Sequence, residues 1–241
     1  MQFSIHHGAE PVASAEYLDM GELTFLPSIP EFDPLEDAPS SIHYLGPVLG
    51  NQHVPLPQAD RPTPANPVPE VFFYPGRPRD AAGASGQALL NLGLSALRAL
   101  DVTVTLATGG YDLIVPDYPE GRLEVVPWRV MSADYKPDLI LHHGGHGTCL
   151  TAISAGIPSA IVPTHAEREY NARNLAALGC GEFVAEDQTD VRHVRRAIES
   201  AFENPAYARR CAQWRQTIAA RKYEGADLAA RIIARTIGGS P

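Results

Sequence analysis

Residues 138–152 read DLILHHGGHGTCLTA. A short apolar run of strand character ends in two histidines, followed by three glycines and a threonine, and then by residues that suit a helix. Glycine removes the Cβ atoms that would keep a ligand away from the backbone. The free amides at a helix N-terminus attract anions. The stretch predicts a strand, a tight turn and a helix beginning near Thr148, whose hydroxyl stands at or beside the N-cap. His143 can add an imidazole donor, so the turn predicts a cradle for a diphosphate.

Outward from this turn, β-branched or aromatic runs alternate with amphipathic ones. VFFYP (71–75), VTVTLA (102–107), LEVV (123–126), DLILH (138–142) and SAIVP (159–163) suit strands, and SGQALLNLGLSALRAL (85–100) and the segment from Glu167 to Gly179 suit helices. This alternation predicts an α/β fold, a Rossmann-like open parallel sheet with helices on both faces. Ligands of such sheets collect beyond the carboxyl ends of the strands, where the 142–148 turn lies. Beyond Thr189 the pattern is helical, with Val191, Val194, Ile198 and Phe202 at helical spacing and 213–237 continuing it. Residues 1–69 are poor in helical pattern. They end in VPLPQADRPTPANPVPE (54–70), whose prolines favour an extended linker.

Composition limits the alternatives. With 241 residues and 44% hydrophobic content, the chain holds one large core or two small ones. Its formal charge is −9, from 28 acidic and 19 basic residues, which argues against a general grip on nucleic acid or anionic lipid. An anionic ligand must be held locally, and a helix end supplies roughly half a positive charge whatever the net charge. Cys149, Cys180 and Cys211 form no CxxC pair, so neither a zinc site nor a disulfide framework is expected. No run approaches the roughly 20 apolar residues of a membrane span, and the first residues lack signal-peptide character. The expected location is cytoplasmic. Asp101, Asp112, Asp117 and Asp138 are dispersed and give no carboxylate pair with the spacing of a glycosidase or a metal site.

The segment HHGGHGTCLTAISAGIPSAIVPTHAEREYNARNLAALGCG (142–181) resembles the donor-binding signature of GT-B nucleotide-sugar glycosyltransferases. These include the macrolide and glycopeptide antibiotic enzymes and the glucuronosyl and plant secondary-metabolite families. The similarity runs from His-Gly-Gly-x-Gly-Thr through Ala-Gly-x-Pro to Asn-Ala and Leu-Gly. GELTFLPSIPEFDP (21–34) and IHYLGPV (42–48) resemble the end of that family's first domain and its interdomain connection. The resemblance implies three parts: residues 1–69 as the remnant of a first domain plus linker, 70–222 as the nucleotide-sugar-binding domain, and 223–241 as a closing C-terminal helix. The general base is expected in the missing first domain, so no catalytic residue is assigned here and the isolated chain is expected to be inactive. The partners implied are a nucleotide sugar and an acceptor-binding first domain or partner chain.

Carried over residue by residue, the resemblance assigns the diphosphate to His143, Gly145, Gly147 and Thr148. It places Trp128 against the nucleobase, with the backbone of Arg129 and Val130 at the base edge; a tryptophan wedged in the core is the alternative. Gly76 and Arg77 fall beside the phosphates, where Arg77 replaces a small hydroxyl residue or is a solvated loop arginine. His142 is read as a packed or capped histidine on the opposite face, and His146 fills a variable position. Asn171 is read as a structural residue, and Trp214 as a packing residue of the closing helices.

Two departures stand out. Thr151 occupies the place of a ribose-binding glutamate, which shifts the expected donor from UDP- towards TDP-sugars. Glu167 and Arg168 replace the Asp-Gln pair that holds sugar hydroxyls, unless they are an ordinary surface pair. The resemblance implies no cofactor, metal-independent binding, inversion at the anomeric carbon and an acceptor from secondary metabolism, as in antibiotic biosynthesis. A nucleotide-sugar epimerase fits the 142–179 series less well. A dinucleotide oxidoreductase would need a GxGxxG motif that 71–107 lacks. A noncatalytic nucleotide-binding or partner-docking subunit of a split glycosyltransferase is the alternative from another class.

Overall fold

A computed structural model describes residues 22–49, 68–78, 86–131 and 135–238. The proline run expected to form a linker lies, for the most part, outside the described residues. Contacts divide the chain into two units, one of residues 1–46 and 224–241, the other of 47–223.

The larger unit is an α/β layer structure. Its six strands are β3 (Glu70–Tyr74), β4 (Thr103–Ala107), β5 (Leu123–Val126), β6 (Leu139–His142), β7 (Ser159–Ile161) and β8 (Gly181–Phe183), and they lie in the order β5-β4-β3-β6-β7-β8. Every neighbouring pair is parallel. The chain winds outward in one direction from β3 and in the other from β6, so the β3/β6 boundary is the topological switch point, where such sheets open a crevice at their carboxyl edge.

Strand alternation divides the core between two faces. On one face Val71, Phe73, Leu139 and Leu141 meet Leu90, Leu94 and Leu97 of α1 (Gly86–Leu97), together with Val194 and Ile198 of α4 (Val191–Glu203). On the other, Phe72 and Ile140 meet Ala152 and Ala155 of α2 (His146–Ala155). α2 also packs against α3 (Ala166–Ala177) and α5 (Pro205–Arg221). Helices on both faces of a parallel sheet are what the sequence pattern predicts.

Local chemistry sets the helix ends. Asp190 caps α4 by accepting from the amides of Arg192 at 2.8 Å and His193 at 2.9 Å. The His193 amide bond, first among these contacts, holds the Asp190 carboxyl down at about 2. Asn204 caps α5 through the Ala206 amide at 3.1 Å, with Pro205 in the first turn. The helical run expected over 213–237 is broken: α5 ends at Lys222, in the left-handed region, and α6 (Ala226–Gly238) belongs to the other unit. β8 is also additional to the strands read from the sequence. It begins at Gly181, where the Ser159 carbonyl leaves no room for a Cβ.

The smaller unit contains the parallel pair β1 (Thr24–Leu26) and β2 (Ile42–Tyr44), in register Thr24↔Ile42, together with α6. The Gly225 amide at the start of α6 donates to Leu45 O at 3.1 Å. Three-residue strands are too short to leave a period in the sequence. Among the described residues, no helix is long and apolar enough to cross a membrane.

Candidate functional site

A cavity of about 450 Å³ runs along the carboxyl edge of the sheet. Trp128 and Arg129, beyond β5, line one end. Arg77, beyond β3, and His143, Gly145, Gly147, Thr148 and Thr151, from the β6–α2 segment, line the middle; Glu167 and Arg168, at the head of α3, line the other end. Of the residues expected at the site, only Gly76 and Val130 do not line it. The sequence reading missed Tyr74, Met131, Phe72 and Ile140, which also line it. Tyr74 carried a legible signal, as the final aromatic of a strand ending at the switch point.

The middle of the cavity is built on glycine. The His143 ring lies between two glycine backbones: a Cβ at Gly76 would come within 3.0 Å of its Cγ, and one at Gly145 within 2.6 Å of its Nε2. Tyr74 meets the same ring edge-on, with centroids 5.4 Å apart and planes at 76°. His143 is therefore 93% covered yet still borders the cavity. Gly76 supports this imidazole from behind rather than lining the site.

Gly144 makes the turn itself. Its φ is +85°, and a Cβ there would lie 2.8 Å from Arg168 O, so both conformation and space demand glycine. Its amide donates to His142 Nδ1 at 3.1 Å, and its carbonyl accepts from Asn171 Nδ2 at 3.0 Å. Asn171 is thus the structural residue that the sequence suggests, binding α3 to the turn. His142 is fully buried at the end of β6, and burial, reinforced by neighbouring His143, lowers its pKa to about 3. Its ring is neutral at physiological pH.

The helix start differs from expectation. α2 begins at His146 with Gly145 as its N-cap and no side-chain cap, so Thr148 is its third residue and not the cap. The Thr148 and Cys149 amides both donate to Gly145 O at 3.0 Å. The Thr148 contribution to the cavity is therefore its hydroxyl, and the head of the helix presents the amides that precede it. Thr151 donates its hydroxyl proton to Gly147 O at 2.8 Å.

The two ends are held by polar side chains. Trp128 is 62% exposed, which overturns the alternative of a core-wedged tryptophan, and its ring centroid lies 6.3 Å from that of Tyr74. Arg129 makes a two-pronged contact with Glu124 at 2.8 and 3.2 Å and lies 4.6 Å over the Tyr135 ring. Glu167 accepts from Asn171 at 2.8 Å, while the Arg168 guanidinium contacts Thr164 Oγ1. Burial raises the Tyr74 pKa, with Tyr111 adding to the rise and Arg77 and Arg168 opposing it, so the phenol remains a donor. Away from the cavity, Trp214 donates to Leu178 O at 3.1 Å as a packing residue. Among the described residues no three His, Cys, Asp or Glu side chains group as a metal site would require.

Comparison with known proteins fits this geometry. The C-terminal domain model of erythromycin biosynthesis protein CIII-like proteins matches residues 100–234, more than half of the chain. A PGL/p-HBAD biosynthesis glycosyltransferase of Mycobacterium tuberculosis is 28% identical over 204 residues, covering 80% of this chain and 44% of the relative. Elloramycin glycosyltransferase ElmGT of Streptomyces olivaceus is 33% identical over 141 residues, covering 55% and 36%. This chain thus spans less than half the length of either. The solved spinosyn rhamnosyltransferase SpnG complexed with thymidine diphosphate superposes with a TM-score of 0.67 at 24% identity, over 83% of this chain and 54% of that one. The chain belongs to the erythromycin biosynthesis protein CIII-like C-terminal domain family, and its fold is that of the GT-B glycosyltransferases.

Proposed function

We propose that this chain is the donor-binding part of a glycosyltransferase. It holds a nucleoside diphosphate sugar while an acceptor-binding first domain, in the same or another chain, supplies the general base and the acceptor. The observation that carries the reading is the cavity itself: an exposed tryptophan face at one end, a glycine turn with an uncapped helix head in the middle, and polar side chains at the far end. A base stacks on Trp128, the diphosphate meets His143, the α2 amides and the Thr148 hydroxyl, with Arg77 beside it, and the sugar extends toward Glu167 and Arg168.

These groups stabilise the negative charge that builds on the leaving nucleoside diphosphate as an acceptor oxygen attacks the anomeric carbon. Helix amides and arginines supply the positive potential in this scheme, so binding is independent of a divalent ion. Thr151 presents no carboxylate to a ribose diol, which favours a thymidine over a uridine diphosphate donor. The thymidine diphosphate in SpnG supports the same preference. The acceptor class follows the antibiotic relatives, a small secondary metabolite.

Calorimetric titration of the chain with TDP, UDP and GDP, with and without EDTA, tests the reading. Saturable binding that survives EDTA, ranks TDP first and weakens about 10- to 100-fold in His143→Ala is expected from loss of a charge-assisted hydrogen bond. Absence of binding to all three, in a folded chain supplemented with a matching first domain, would overturn it.

A further inference from the structure

His142 spends an imidazole where stability alone favours an apolar side chain. It ends β6 on the face of Ile140, fully buried, and its Nε2 has no hydrogen-bond partner among the described residues. Its other nitrogen, Nδ1, accepts the Gly144 amide at 3.1 Å. Accepting at Nδ1 places the ring proton on Nε2, the atom left unpaired in the core. A buried donor without a partner is a cost, so the packing of the strand does not account for this side chain.

The Gly144 turn does account for it. Asn171 Nδ2 donates to the Gly144 carbonyl from α3, at 3.0 Å, while His142 takes the amide from β6. The two side chains therefore grip both backbone polar groups of one glycine, one in each of its two flanking peptide units, in a residue at φ +85° pressed against the Arg168 backbone. Gly145 follows directly as the N-cap of α2, with no side chain to fix it. The orientation of the α2 amides is then inherited from the peptides on either side of Gly144.

We propose that His142 is a positioning residue, which through its neutral Nδ1 and jointly with Asn171 sets the Gly144 peptide so that the head of α2 faces the cavity. It touches no ligand. The proposal rests on the reading of the cavity as a nucleoside diphosphate site only for its affinity effect; the loop geometry itself is independent of that reading.

The test combines nitrogen-15 NMR on the full chain with TDP titration. Wild-type protein is expected to show His142 in the Nε2–H tautomer. His142→Leu, which removes the acceptor, is expected to speed exchange of the Gly144 amide, shift the Gly145 and Gly147 amides and weaken TDP binding about 10-fold. His142→Asn, whose side-chain oxygen can accept the same amide, is expected to stay within about 3-fold of wild type. Asn171→Leu should weaken binding too, and the double variant should lose less than the sum of the two. A folded His142→Leu with wild-type affinity, or a wild-type proton on Nδ1, would overturn the proposal. Should His142→Leu fail to fold, the tautomer and the His142→Asn affinity decide. If wild-type protein binds no TDP even when a matching first domain is added, the nucleotide reading fails by itself. Unchanged amide shifts and exchange over 144–147 in His142→Leu would then be the result that sinks the positioning role.

Discussion

The middle and the β5 end of the cavity are built on opposite plans. Around His143 two glycine backbones and Tyr74 enclose the ring, and both polar groups of Gly144 are taken up by His142 and Asn171. At the other end Trp128 leaves most of its surface open, and Arg129 is tied to Glu124, itself half-exposed. One region is preorganised by sterics and buried hydrogen bonds; the other is held by surface contacts of small individual strength. Under the proposed donor reading, the difference assigns fixed recognition of the diphosphate to the middle and adaptable recognition of the base to the β5 end.

The sharpest way to break this contrast is Gly145→Ala. A Cβ 2.6 Å from His143 Nε2 cannot be accommodated without moving the ring. TDP affinity should fall by more than about 100-fold, or about 3 kcal/mol. Inorganic pyrophosphate, which uses only the middle region, should be lost in parallel. Calorimetry with both ligands checks this, with thermal melting as the control for folding.

A second effect, of about 2 kcal/mol, belongs to the rigid region through His142. With a folded pKa of about 3 against an ordinary value of 6.5, the ring is neutral in both the folded and unfolded chain at pH 7. As pH falls below 6.5 the unfolded chain takes up a proton that the folded chain refuses, so stability declines until about pH 3. Between pH 7 and pH 5 the unfolding free energy from urea titration should drop by about 2 kcal/mol, at up to about 1.4 kcal/mol per pH unit. His142→Asn should flatten that slope. Asp190, held at about 2, contributes mainly near and below the ordinary carboxylate value of 3.8, so above pH 4 the difference between wild type and His142→Asn separates this histidine from the other eight.

Much of this contrast was legible in the sequence, unevenly. The turn after β6 could be read because the whole 142–181 series resembles a known donor-binding signature, whereas a glycine-rich turn alone also closes many ordinary strand–helix connections; the strands before it are marked by β-branched runs. The helix start was displaced because Gly145 caps α2 without a polar side chain, removing the usual marker. β8 went unseen because GEF is three residues long, bounded by glycine and interrupted by a charge. The break after α5 falls at Lys222, in a left-handed conformation that the helical spacing over 213–237 does not announce; the boundary at 222/223 follows from the resemblance and not from that spacing. The grip of Asn171 on Gly144 joins residues 27 apart, and so becomes visible only when α3 is laid against the turn. Similarly, Trp128 could be read as core or as cavity wall until its exposure was known.

Trp128→Ala sharpens the other side of the comparison. An exposed ring contributes little to the core, so melting should be unchanged. Loss of a stacking face should weaken TDP by about 10-fold, or about 1.4 kcal/mol. Pyrophosphate should bind as before. A matching loss for both ligands would mean that the two ends are coupled and that the base end is as preorganised as the middle.

The smallest effect concerns Arg129, which divides its charge between the cavity and Glu124. Its contact with Glu124 is partly exposed, and pairs of this kind contribute up to about 1 kcal/mol. Glu124→Gln removes a carboxylate that competes with an anionic ligand for the guanidinium, and should raise TDP affinity about 2-fold at low salt. Arg129→Gln should lower it by a similar factor. Both changes should fade as ionic strength rises and screening shortens the reach of exposed charges. Opposite signs at low salt that converge at high salt would assign Arg129 to the ligand's electrostatic surroundings. If neither variant moves affinity at any salt concentration, its position 4.6 Å over the Tyr135 ring is its whole role, and base recognition at this end rests on Trp128 and the backbone beside it.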